Sequence, residues 1–79
     1  MKITGSHKHD VTTDGLIEMD SIAIAVNSSA LRDIAKFLND AANEMDKLGN
    51  DFDHIHLMDL WPQWQDNFPD IQVLSEKYS

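Results

Sequence analysis

Cysteine is absent from the chain, so neither a disulfide framework nor a thiolate zinc site is available to it. Glycine occurs only at Gly5, Gly15 and Gly49, which leaves no glycine-rich loop to cradle a phosphate. No serine stands in a Gly-x-Ser-x-Gly elbow, and nothing else in the sequence points to an enzyme. No stretch approaches the roughly 18 apolar residues of a membrane span. A soluble cytoplasmic protein is the expectation. Basic residues are scarce: six stand against fourteen acidic ones, a formal net charge of −8. A surface of that sign repels nucleic acid, whose backbone is itself anionic.

The charge is unevenly placed. Residues 1–36 hold Lys2, Lys8, Arg32 and Lys36 against five acids. Residues 37–70 hold eight acids against Lys47 alone, a formal −7. Such a half either serves solubility or steers a basic partner towards a docking face.

At 79 residues the chain is one small domain, in which a helix and a small sheet must share a single core. Ser28 to Leu48 organises that core. Leu31, Ile34, Ala35, Leu38, Ala41, Ala42, Met45 and Leu48 recur at helical spacing, the stripe of an amphipathic helix. Leu38 is at its centre. Asn27, Ser28 and Ser29 are good caps, and Gly49 can close the helix in a left-handed conformation.

The remaining segments read as short strands. Met1 to Thr4 is one, and residues 6–15 read as a polar loop. Leu16 to Val26 is the best strand, with Ile22, Ile24 and Val26 alternating with Ala23 and Ala25. Upstream the phase breaks, because Glu18 and Asp20 share parity with Ile22. A bulge near Asp20 or Ser21 would reset it. Phe52 to Asp59 alternates again, with Ile55 and Leu57 towards the core and His54 and His56 together on the far face. Pro62 and Pro69 bracket an aromatic stretch, and Ile71 to Leu74 is the last strand. The sum is an α+β, two-layer fold of order β-β-α-β-β. One long helix covers one face of a mainly antiparallel four-stranded sheet.

Two constellations invite function. His54 and His56 stand at strand spacing and are weak candidates for a zinc or nickel site. The third ligand would come from elsewhere, such as His7 or His9. Packing against a neighbour explains the pair as well, and no metal or cofactor is expected. The second constellation is the aromatic loop: Trp61, Trp64 and Phe68 lie among Asp59, Asp66 and Asp70. Tryptophan often anchors an interface, and carboxylates around it suit a basic partner. Trp61 can equally serve the core of so small a chain.

A set of short motifs carries a family resemblance. It starts with Met1-Lys2-Ile3 and Gly5 and runs through Asn27-Ser28-Ser29-Ala30-Leu31-Arg32. It continues with Ile34-Ala35-Lys36-Phe37-Leu38 and Ala41-Ala42-Asn43-Glu44-Met45. Asp53-His54-Ile55-His56-Leu57, the tryptophan loop and Pro69-Asp70-Ile71-Gln72-Val73 complete it. Together these resemble the immunity protein 32 family of bacterial polymorphic toxin systems. The resemblance spans nearly the whole chain and supplies no catalytic residue. It implies a protein that binds and neutralises a cognate toxin domain in the cytoplasm of the producing cell. A homodimer packed through Ala23, Ala25, His54, His56 and Met58 is the alternative, and a histidine-dependent metal-binding protein the remaining one.

Overall fold

The computed structural model of the chain describes residues 1–13 and 16–79, with side chains outside 8–16. Its order is β1 (Lys2–Thr13), β2 (Leu16–Ala25), α1 (Ser28–Leu48), β3 (His54–His56), α2 (Leu57–Leu60) and β4 (Gln72–Leu74). Single 3₁₀ turns follow α1 at Gly49–Asp51 and β4 at Glu76–Tyr78. The architecture is α+β. The four strands pair as two separate two-stranded antiparallel sheets, β1–β2 and β3–β4, and not in the single four-stranded sheet expected.

Helix α1 forms where its periodicity and caps place it. Asn27 Oδ1 accepts from the Ala30 amide at 2.8 Å, satisfying one of the free donors of the first turn. At the other end Gly49 takes a φ of 55° and its amide donates to Met45 O. A side chain there would strain the backbone.

The buried face of α1 is rotated from the expected stripe. Ile34, Phe37 and Ala41 are buried, whereas Leu31, Leu38 and Leu48 are exposed. Leu38, expected at the core centre, keeps 47% of its surface. The helix has more apolar surface than one small core can cover. Phe37, the bulkiest residue on that side, takes the inner position and turns Leu38 outwards. Ile34, Phe37, Leu57 and Trp61 form the core cluster, with Ile55, Trp64, Phe68, Ile71 and Val73 packed around it. The core therefore lies between α1 and the 52–74 segment.

Strand β1 is longer than the sequence suggested. Within the stretch read as loop, Ser6, His7, Thr12 and Thr13 have partners on β2, out to Thr13 opposite Leu16, with a second irregularity in register between His7 and Thr12. Ser6 faces Ser21 and His7 faces Met19, so Asp20 is an extra residue on β2. This is the bulge foreseen from the broken alternation. It puts Met19 and Ile22 over the same side of Gly5, where a Cβ would lie 2.5 Å from Met19 Cε and 3.4 Å from Ile22 Cγ2. One face of the hairpin thereby becomes apolar. That face stays open: Ile17, Met19, Ile22 and Ile24 are all exposed, Ile22 by 62%.

Strand β3 is shorter than expected. His54–His56 pairs with Leu74–Gln72, and the chain then turns into α2. The Leu57 amide still reaches Ile71 O at 2.8 Å, and Ser75 N reaches Asp53 O at 2.7 Å. Leu57 is fully buried, so the expected core pair with Ile55 is kept although its backbone is helical.

Candidate functional site

The two histidines of β3 are each tied to a carboxylate. His54 Nδ1 donates to Asp53 Oδ2 at 2.5 Å, and His56 Nδ1 donates to Asp70 Oδ2 at 2.5 Å. The rings meet edge to face with centroids 5.0 Å apart. Asp70 Oδ1 also accepts from the Met58 amide at 2.9 Å, which joins the start of α2 to the segment leading into β4. Asp53 collects Tyr78 Oη at 2.6 Å and Lys77 Nζ at 2.9 Å besides His54. Those donors hold the Asp53 carboxyl far below the usual carboxylate range, the Tyr78 hydroxyl first and the His54 ring next. The same contact raises the Tyr78 hydroxyl above its ordinary value. Both dyads fasten the end of the chain to β3. His54 and His56 do share a face, but Ala23 and Ala25 belong to the other sheet. The composite face Ala23, Ala25, His54, His56 and Met58 is therefore not one surface. Among the described residues, no group of three or more His, Asp or Glu side chains is placed to hold a metal. His7 is exposed on β1, and the His9 side chain lies outside the described residues.

The aromatic loop turns inwards. Trp61 is only 9% exposed, and its Nε1 donates to Asp33 Oδ2 at 2.9 Å. Phe68 stacks on it, with ring centroids 5.9 Å apart and planes 21° apart. Trp64 is half-buried and donates from Nε1 to Pro69 O at 3.2 Å. Trp61 is thus part of the core, while Trp64, Phe68 and Asp70 are partly buried and make contacts within the chain. A 79-residue chain has few large side chains to close its core, and these are the ones that do it. Asp59 and Asp66 remain on the surface.

The exposed apolar residue of this stretch is Leu60, at 57%. Leu60 stands in a groove between α1 and the Leu60–Gln63 segment. One part of the groove, about 360 Å³, is bounded by Asp33, Lys36, Phe37, Asp40, Leu60 and Trp61. The adjoining part, about 440 Å³, is bounded by Asp40, Asn43, Glu44, Ile55 and Leu60. Asp33, Asp40 and Glu44 follow each other at steps of seven and four, so they line one wall of α1. Asp40 also holds Lys36 Nζ at 2.8 Å. The floor is apolar, and the rim carries three carboxylates with Lys36 paired to one of them. Sequence reasoning missed Leu60. No local pattern marks it, because its exposure follows from the inward turn of Trp61.

Comparison with protein-family models, with curated proteins and with solved structures finds no match for the chain. The family resemblance rests on the motifs quoted above.

Proposed function

We propose that the protein is a small acidic binding protein that takes a basic protein partner, as an immunity protein takes its toxin. The observation that carries this reading is the groove along α1. Asp33, Asp40 and Glu44, with Lys36 paired to Asp40, form its wall, and Leu60 stands exposed within it. Carboxylates at the rim attract a cationic partner from a distance. An apolar side chain within the rim supplies short-range contact from which water is excluded. Asp59 and Asp66 extend the same charge along the loop. A nuclease toxin fits this chemistry, since its site is built for phosphates and carboxylates mimic them. The reading needs neither a cofactor nor a catalytic residue, and it places the protein in the cytoplasm, where a toxin's producer requires protection. No described helix is long and apolar enough to cross a membrane.

Capture from the native host tests it, with the native chain beside Leu60→Asp and Glu44→Lys. The expected outcome is a basic protein held by the native chain, lost from both variants and released by salt. A captured protein that is acidic, or that both variants hold equally well, contradicts the reading.

A further inference from the structure

A cleft of about 530 Å³ opens between the end of α1 and the 3₁₀ turn Glu76–Tyr78. Met45, Asn50 and Phe52 form one wall, and Ser75, Glu76 and Lys77 the other. Its volume is within the roughly 300–1,000 Å³ of small-molecule sites. The first wall is anchored, since Met45 belongs to α1 and Phe52 is 3% exposed. The second is not. No residue of the turn is buried, and Tyr78 keeps 54% of its surface.

One carboxylate fastens that turn. Asp53 Oδ1 accepts from Tyr78 Oη at 2.6 Å and from Lys77 Nζ at 2.9 Å. The backbone bonds of the turn stay within it. Lys77 N donates to Ser75 Oγ at 3.2 Å, Tyr78 N to Ser75 O at 3.0 Å and Ser79 N to Glu76 O at 2.9 Å. Ser75 is where pairing with the β3 segment stops, its amide donating to Asp53 O at 2.7 Å. Among the described residues, the hydrogen bonds and ion pairs that tie residues 76–79 to anything before Ser75 therefore all end on the Asp53 side chain.

We propose that residues 76–79 are a strap, hinged at Ser75 and latched on Asp53, that swings away from the cleft while the rest of the domain stays folded. The latch is weak. The Asp53 and Lys77 side chains are both about half exposed, and water and salt compete for such a pair. The strap also takes nothing from the core when it leaves. Ile34, Phe37, Leu57 and Trp61 form the core cluster, and none of them lines the cleft. A segment with exposed hydrogen bonds and no buried side chain opens locally, at a lower cost than global unfolding.

The strap is also poised to close again. His54 Nδ1 holds Asp53 Oδ2 at 2.5 Å, so the carboxylate keeps its place when Tyr78 and Lys77 depart. Opening removes Glu76 and Lys77 from one wall and frees the approach to Met45 and Phe52. The strap thus sets access to the cleft. It shares no residue with the groove along α1, so its failure would leave the partner-binding reading standing.

Nuclear magnetic resonance on the full chain is the test, with the native protein beside Asp53→Asn and the double variant Lys77→Ala, Tyr78→Phe. The double variant leaves Asp53, His54 and the β3–β4 pairing untouched, so it decides should Asp53→Asn fail to fold. In the native chain the backbone order of residues 76–79 should approach the ~0.85 of rigid structure. In the variants it should fall below about 0.6, while α1, β3 and β4 keep theirs. Relaxation of the Met45 methyl by a soluble paramagnetic agent should rise severalfold on release. A native turn already as mobile as the variants overturns the proposal. So does loss of order in β3 and β4 together with the turn, or a Met45 methyl reached equally with the strap latched and released.

Discussion

Trp61 Nε1 donates to Asp33 Oδ2 at 2.9 Å across 28 residues of sequence. The bond fixes the loop after α2 to the acidic wall of α1 and closes the floor of the groove. It also satisfies an indole N–H that would otherwise be largely cut off from water. Asp33→Ala should therefore destabilise the fold by about 1–3 kcal/mol, the cost of leaving such a donor unpaired. Urea denaturation checks it, and an unchanged midpoint would mean that the bond is dispensable.

Phe37 and Leu38 are neighbours with opposite fates. Phe37 is 4% exposed and Leu38 is 47% exposed. Phe37→Ala should cost about 3–5 kcal/mol, a large share of the stability of any small domain. Leu38→Ala should leave the stability almost unchanged, because Leu38 is exposed. Denaturation of both variants separates the two positions, and equal losses would place Leu38 in the core after all.

The Asp53 cluster makes a prediction about pH. The folded-state pKa of Asp53 is depressed below the ordinary 3.8. Its contribution is therefore complete above that value and lost as the pH falls through the acid range towards the folded pKa. The Tyr78 hydroxyl is shifted the other way, above 10.0. Its contribution is complete below 10.0 and lost as the pH rises towards the raised value. The chain has a single tyrosine, so its absorbance titration reads this directly. The native midpoint should lie above 10.0, and Asp53→Asn should bring it down. A midpoint indifferent to Asp53→Asn would show that Tyr78 is not held there. The groups are exposed, so salt should reduce the effect.

Gly5 on β1 lies opposite Ile22 on β2. A Cβ there would lie 2.5 Å from the Ser21 carbonyl oxygen, which is backbone and can move only if the hairpin moves. Gly5→Ala should therefore lower the amide protection of β1 and β2 while α1 keeps its own. Protection lost equally in both elements would mean that the hairpin and helix unfold as one unit.

Much of the fold was legible because it is local. The α1 limits follow from the caps at Asn27 and Gly49, and the bulge follows from the parity clash of Glu18 and Asp20 with Ile22. What was not legible is set at long range. His7, Thr12 and Thr13 look like loop residues until β2 supplies their partners. The division into two sheets depends on which strand each edge meets, and β3 carries no signal for that. On α1 the apolar surface is wide enough for two faces, so spacing alone cannot choose between Phe37 and Leu38. The candidate site suffered most. Trp61 and Phe68 have the composition of an anchor, and only their stacking and the bond to Asp33 show Trp61 to be core with Phe68 packed against it. Asp59 and Asp66 stayed on the surface, and Leu60 took the exposed position.

The central claim is that an anionic groove draws in a basic protein and an apolar contact holds it. Binding kinetics of the captured partner at two salt concentrations test it most directly. Charges exposed to solvent are screened beyond about 8 Å at physiological ionic strength. Association with the native chain should therefore slow as salt rises. Asp66→Lys should slow association at low salt, and Leu60→Asp should mainly speed dissociation. Rates that ignore salt and both substitutions would contradict the account.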